Sequence, residues 1–224
     1  MEQNNDNIDI ILKYFPNLTP EQIERYRQLQ PLYDDWNAKI NVISRSDTGN
    51  LYTRHVLHSL AIAKFFGPLA NQTRLMDLGT GGGFPGIPLA IFYPQCSFHL
   101  IDRIGKKIRV ASEIAKELGL TNVTFQHGDS GECHDKFDYV VSRAVMNLDA
   151  LVKASVKNIA KTVDGNTYAP GLVCLKGGDL AEEIDACKMP VMDIPITDFF
   201  NEPFFETKEI VYVPMTKDKK KCSR

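Results

Sequence analysis

The sequence has no Cys-x-x-Cys pair. Its five cysteines, Cys96, Cys133, Cys174, Cys187 and Cys222, lie far apart and are odd in number. That spacing excludes the common zinc and thioredoxin motifs and argues against a disulfide framework, so a reduced, cytoplasmic protein without a metal is expected. A long apolar run is also missing. The richest stretch, LAIAKFFGPLA, is broken by Lys64 and Pro68, and no membrane span is expected. The opening MEQNNDNIDI lacks the cationic and apolar regions of a secretory signal. Charge of one sign is absent too. Lysine and arginine number 26 against 28 acids, a net of −2, which neither requires nor excludes a nucleic-acid partner; only local clusters could argue for one.

What remains is an ordinary globular composition, 43% hydrophobic and 24% charged. Residues 1–70 read as a helical extension. IDIILKYF has helical spacing and stops at Pro16; TPEQ restarts a helix with Thr19 as N-cap, Pro20 at N1 and Gln22 closing a capping box. Pro31 is expected to kink that helix, and a third helix is expected from about Leu51 to Phe66. From residue 71 to 215 the pattern changes. RLMDL, CSFHLID, NVTFQHG, FDYVVSRA and GLVCLKGG are strand-like runs with helical segments between them, notably GKKIRVASEIAKELG ending on Gly119. This is an α/β pattern: a Rossmann-like, mostly parallel sheet covered on both faces, with MPVMDIPI and ETKEIVYVP as an antiparallel hairpin at one edge. Residues 216–224 form a basic tail.

The chemistry concentrates in DLGTGGGFPGIPLA, Asp77 to Ala90. Gly81 and Gly86 have the spacing of a P-loop, but Ile87 stands where its lysine must be. Gly81-x-Gly83-x-x-Gly86 fits the dinucleotide fingerprint better, and Asp102 ends the next strand, where an acid grips a ribose diol. Asp77 discriminates between ligands. A carboxylate at this strand end would repel a pyrophosphate. It would attract S-adenosylmethionine, which carries a sulfonium and an ammonium and no phosphate. The alternative is that Asp77 caps the turn and the glycines only make a tight bend. After the third strand, Asp129 and Ser130 are candidates for the adenine side, with a simple turn equally open.

The segments WNAKINVIS, YTRHVLHSL, DLGTGGGFPGIPLA, LIDRIGKKIRV and VVSRAV, in that order, resemble the bacterial small-subunit ribosomal RNA guanine-N7 methyltransferases, the RsmG or GidB family. The resemblance covers about residues 20–180. It implies a Rossmann-like methyltransferase with N-terminal helices that uses S-adenosylmethionine to methylate N7 of guanine 527 (nucleotide numbering) in 16S ribosomal RNA. It also implies 16S RNA or the small subunit as partner. By position it makes Gly79 and Phe84 cofactor contacts beside Asp77 and Gly81, Asp102 the ribose ligand, Asp129 and Ser130 the adenine side, and Arg143 a contact in the cleft. The family usually carries Asp where His58 stands. A monomer is expected.

Guanine N7 offers an in-plane lone pair and no proton, so no general base is required, and catalysis rests on positioning and water exclusion. Arg143 and Lys176, each at the carboxyl end of a strand, are positioning candidates. Lys176 is also a candidate for an RNA phosphate. Asn37 and Asn41, four apart, would share a helix face or cap its end. Arg54 and His55 open the third helix and are candidates for RNA contact. The tail, with Lys217, Lys219, Lys220, Lys221 and Arg224, could add phosphate contacts or be a solvated end. The competing functions are an NAD(P)-dependent oxidoreductase and an RNA-binding module without catalysis.

Overall fold

The structure, a computed structural model, describes residues 7–40, 42, 44, 47–143 and 146–215. Asn41 and the tail 216–224 lie outside the described residues.

Helix α1 (Asp9–Tyr14) leads to α2 (Pro20–Lys39), whose start is the capping box expected from TPEQ. Thr19 Oγ1 accepts from the Gln22 N–H at 3.2 Å, and Gln22 Oε1 accepts from the Thr19 N–H at 2.9 Å. The Gln22 amide also donates to the carbonyls of Ile91 and Phe92. Pro31 stands inside α2 without ending it. A proline leaves the carbonyl four residues back without its helical donor. Here that is Arg27, and the Tyr52 hydroxyl reaches both it, at 3.3 Å, and Tyr26 O, at 2.9 Å.

The third helix occurs in two parts. A π-helical stretch, Tyr52–Leu57, runs into α3 (His58–Phe66), which Gly67 ends with φ +64°. The π stretch carries Arg54 and His55. Such wide turns collect at functional sites, and nothing in the apolar spacing announces this one.

All seven strand-like runs form strands: β1 (Arg74–Leu78), β2 (Ser97–Asp102), β3 (Val123–His127), β4 (Tyr139–Arg143), β5 (Gly171–Gly177), β6 (Met192–Pro195) and β7 (Lys208–Pro214). The sheet order is β3-β2-β1-β4-β5-β7-β6. β1 to β5 are parallel, β7 is antiparallel to β5, and β6 is antiparallel to β7, giving the expected edge hairpin. The intervening helices are α4 (Gly86–Phe92), α5 (Gly105–Glu117), α6 (Leu148–Ser155) and α7 (Ala181–Ala186). α5 closes as a Schellman motif: the Leu120 N–H reaches Ala115 O, the Gly119 N–H reaches Lys116 O, and Gly119 has φ +63°.

Alternation along the strands sorts the core into two layers. Leu75, Leu100, Tyr139, Val141 and Val173 face one cluster, shared with Tyr26, Leu29 and Tyr33 of α2, Leu60 and Ile62 of α3, and α4 and α5. Met76, Ile101, Val140, Leu172 and Cys174 face the other, under α6 and α7. The N-terminal helices therefore share an apolar core with the sheet. The four described cysteines are free, and Cys96, Cys133 and Cys174 are buried.

Candidate functional site

Chain order reverses across the β1–β4 pair: β2 and β3 extend the sheet to one side of β1, and β4 and β5 to the other. Open α/β sheets bind ligands at the carboxyl edge of such a switch point, where the loops diverge and leave a crevice. The glycine loop leaves β1 at that edge.

The loop turns on Gly79 (φ +72°), Gly81 (φ +57°) and Gly83 (φ +107°), in the left-handed region where a side chain is strained. The N–H groups of Gly79 and Thr80 both donate to Ile101 O, tying the loop to β2. Asp102 Oδ2 accepts from the Gly81 N–H and Oδ1 from the Ile104 N–H, each at 2.8 Å. Each oxygen keeps a lone pair for a further donor. A side chain built at Gly81 would meet nothing within 4 Å, so the loop is open there. At Gly86 the reverse holds: a Cβ would lie 2.7 Å from Asp77 Oδ2 and 2.8 Å from the Leu100 side chain. Only glycine lets the start of α4 sit on that carboxylate.

Asp77 is fully buried. Its Oδ2 accepts from the Thr80 hydroxyl at 2.6 Å and the Gly86 N–H at 2.8 Å, while its buried Oδ1 has no hydrogen-bond partner among the described residues. One oxygen thus caps the turn and the other is left over. Burial pushes the Asp77 pKa up to about 7, against the Thr80 and Gly86 hydrogen bonds and the charge of Arg143, which pull it down.

Arg143 ends β4 across the crevice. Its guanidinium lies 5.0 Å from the Phe84 ring centroid, with Nη2 3.0 Å from His55 Nδ1 and Nη1 donating to Arg54 O at 3.4 Å. A guanidinium only donates, so His55 Nδ1 accepts and its proton sits on Nε2. Burial, seconded by Arg143, pushes the His55 pKa down to about 3 and keeps the ring neutral. Phe84 is buried among Tyr33, stacked at 4.8 Å, His55 and Arg143. The Tyr33 hydroxyl donates to Gly82 O at 2.7 Å. Phe84 and Tyr33 therefore brace the loop from beneath.

Other candidates stand further out. Asp129 begins a 3₁₀ turn (Ser130–Glu132) beside the end of β3; its carboxylate caps that turn and pairs with Arg103. The Ser130 hydroxyl is turned to Ala154 O, at 3.3 Å, in the packing against α6.

Two expectations change. Lys176 does not present its charge to solvent. It is 8% exposed, ion-paired with Glu183 at 2.8 Å, and it donates to Met146 O at 3.0 Å, because a cation below the surface must be paired. Asn37 takes the capping alternative: α2 ends at Lys39, and Asn37 Oδ1 accepts from the Val42 N–H at 2.9 Å and closes the helix end. His55 turns both ring nitrogens inward, to Arg143 and to a buried position without a partner among the described residues, so it braces Arg143. Arg54 remains 41% exposed along its side chain and pairs with Asp47 at 2.6 Å. His58 is buried against Phe204 and Phe205, and burial holds its pKa well below the usual histidine range. Tyr33, Asp47 and Glu183 are the participants that sequence reasoning missed. Tyr33 had one signal, a hydroxyl on the buried face of α2 that it shares with Tyr26 and Leu29; the two acids had none.

The arrangement matches known proteins closely. The family model described as rRNA small subunit methyltransferase G, GidB, matches residues 21–192. Ribosomal RNA small subunit methyltransferase G of Bacteroides thetaiotaomicron is 55% identical over 92% of this chain and 98% of its own length. Its namesake in Phocaeicola vulgatus is 53% identical over 93% and 99%. Among solved structures, the precorrin-6y C5,15-methyltransferase of Geobacter metallireducens GS-15 shares the fold, with a TM-score of 0.51 at 12% identity over 78% of this chain and 90% of that one. With more than half of its length matched by the family model and near-complete relatives above 50% identity, the chain belongs to the GidB family of small-subunit rRNA methyltransferases.

Proposed function

We propose that the protein methylates N7 of a guanine in small-subunit ribosomal RNA, with S-adenosylmethionine as methyl donor; guanine 527 of 16S RNA is the position that the sequence resemblance implies. One observation carries this reading beyond family membership. Along the sheet's carboxyl edge the strand-end charges change sign at the switch point. Asp102 and Asp77 stand at the ends of β2 and β1, with Asp129, paired with Arg103, just past β3; Arg143 and Lys208 stand at the same edge of β4 and β7, with Lys176, paired with Glu183, on β5 between them. A cationic donor suits the acidic side, and a polyanionic acceptor suits the basic side. An NAD(P) pyrophosphate would meet the acids, which counts against the oxidoreductase reading.

The donor's fit rests on Asp77 and Asp102. Asp77 Oδ1 is a buried acceptor without a partner among the described residues, and such an atom is costly unless a donor reaches it. An ammonium is such a donor. Asp102 keeps acceptor capacity for ribose hydroxyls beside the open backbone at Gly81. Gly79 lies on the same loop, Phe84 shapes it, and Asp129 and Ser130 are the adenine-side candidates. When bound, S-adenosylmethionine supplies an electrophilic methyl group on its sulfonium. The chain's own work is then positional. The guanine N7 lone pair needs no base, so Arg143 serves to orient a phosphate or carboxylate with the N–H groups that His55 and Arg54 leave free. Its burial pushes its pKa down to about 10, which still leaves it charged at neutral pH.

Residues 1–70 are read as an extension packed on the methyltransferase domain 71–215, with 216–224 as a basic tail, and the protein as a cytoplasmic monomer. No helix among the described residues is long and apolar enough to cross a membrane. The test is methylation of small-subunit RNA, deproteinised and in subunits, followed by reductive strand cleavage at N7-methylguanine. Cleavage at guanine 527 is expected; cleavage elsewhere, or none, overturns the assignment.

A further inference from the structure

A second group of side chains lies at the same edge, one step beyond Arg143. The turn Pro203–Phe205 is a 3₁₀ turn, in which neighbouring side chains diverge by a third of a circle. Phe205 enters the core and is fully buried, so Phe204 turns outward and is half-buried. Two cations lie on its ring, Arg54 at 5.6 Å and Lys208 at 5.2 Å from the centroid, and the buried His58 meets it edge-on at 5.5 Å. Lys208 opens β7 opposite Gly177 at the carboxyl end of β5, and its side chain lies across that glycine, where a Cβ would come within 2.9 Å of Nζ. Arg54 in turn gives its carbonyl to Arg143. The three cations therefore form a continuous file from the switch point outward.

We propose that Arg54, Phe204 and Lys208 form a contact strip for the single-stranded RNA flanking the target guanine, the two cations taking backbone phosphates while Phe204 holds them in place. This rests on the methyl-transfer reading above. Three observations point to a polyanion. Among the described residues Lys208 has no carboxylate within ion-pair distance, and its ammonium donates only to the Thr207 hydroxyl. Arg54 remains 41% exposed despite its single acidic partner, Asp47. Two cations on one aromatic ring repel each other, and a row of phosphates relieves that repulsion. The strip also continues the basic side of the crevice, so a strand entering at Arg143 runs onto it.

The test uses the full chain and deproteinised small-subunit RNA, with binding and methylation measured across a salt series. Lys208→Gln is expected to weaken RNA binding about fivefold and to flatten the log K against log[salt] slope by about 0.7–1, the share of one phosphate contact. Lys208→Arg is expected to restore both, and Phe204→Leu, which keeps an apolar side chain there, to lower affinity through lost alignment of the cations. Lys116→Gln on α5, an exposed lysine away from this edge, is the control and leaves both unchanged. An unaltered affinity and salt slope in Lys208→Gln overturns the strip while leaving the function standing. RNA binding that responds to Lys208→Gln in a protein that transfers no methyl group overturns the function while leaving the strip.

Discussion

On the β1–β2–β3 side of the switch point, charge is held mainly by backbone N–H groups, with the Thr80 hydroxyl and Arg103 as side-chain partners. Asp77 is pinned by the Gly86 N–H and the Thr80 hydroxyl, Asp102 by the N–H groups of Gly81 and Ile104, and Asp129 by the Gly131 N–H. On the β4–β5–β7 side, charge is held by side chains and carbonyls: Arg143 by His55, Phe84 and Arg54 O, all distant in sequence, Lys176 by Glu183 and Met146 O, and Lys208 by the ring of Phe204. The acids depend chiefly on backbone donors of the turns around them, the bases on packed side chains. A change in a base should therefore act through substrate handling and positioning, and a change in an acid through cofactor affinity.

The largest effect is expected at Arg143, the one cation braced directly against the glycine loop. Arg143→Ala should lower turnover about 100-fold, because the loop loses its stacked guanidinium and the substrate loses a bidentate donor. Thermal melting should move by only a few degrees, since a buried cation also costs desolvation. Steady-state kinetics beside a melting curve checks this; a collapsed melting temperature with normal turnover in the folded fraction would assign Arg143 to structure alone.

Asp77→Asn comes next and breaks the acidic side. It keeps an oxygen for Gly86 and Thr80 but removes the charge, so cofactor affinity should fall by about 1.5–3 kcal/mol while stability holds. The wild type should show the matching pH dependence. The folded pKa of Asp77 lies near 7, above the unfolded value of 3.8, so the free protein binds the extra proton and loses stability as pH rises between the two values. A cationic ligand favours the ionised form. Binding below about pH 7 must then expel a proton, and affinity should climb with pH and level off above 7. Calorimetry in buffers of different ionisation enthalpy measures that proton; a pH-independent affinity from 5.5 to 8 would remove Asp77 from the cofactor's surroundings.

Asp102→Ala should cost about 1–3 kcal/mol of cofactor affinity, part of it from a loosened Gly81. Isothermal titration reads this directly, and an unchanged constant would place Asp102 outside the site.

The same contrast explains what the sequence made legible. Thr19 and Gln22 cap α2, Gly119 ends α5 and short, largely apolar runs make all seven strands, because caps, turns and strand runs are written within a few neighbours. Asp77 was legible for the same reason, lying beside the turn that holds it, and Asp102 was legible from its place at the end of the next strand. Lys176 was misread because its partner, Glu183, lies on α7, and no spacing rule links the two. Asn37 was left between a helix face and a cap because nothing local shows α2 stopping at Lys39, where it caps the end. The brace of Tyr33, His55 and Phe84 joins α2, the π-helical stretch and the glycine loop, and it exists only once the chain has folded.

The smallest effect is expected from the tail, and it sharpens the contrast between sequence charge and placed charge. Residues 216–224 hold the densest run of lysines in the chain. Yet β7 starts at the carboxyl edge with Lys208 and runs antiparallel to β5, so Pro214 lies opposite Gly171, at the far edge from Arg143. The chain thus enters the tail on the side away from the crevice. A single well-placed lysine, Lys208, should then matter more than the four in the tail. Removing residues 216–224 is expected to change the KM for RNA less than twofold at 0.15 M salt, where the Debye length is about 8 Å. At low salt the loss should grow, as it does for any non-specific polycation. Competitive methylation of small-subunit RNA at two salt concentrations checks both. A tenfold rise in KM at physiological salt would mean that the tail reaches the substrate, and that the basic side of the site extends beyond the strand ends.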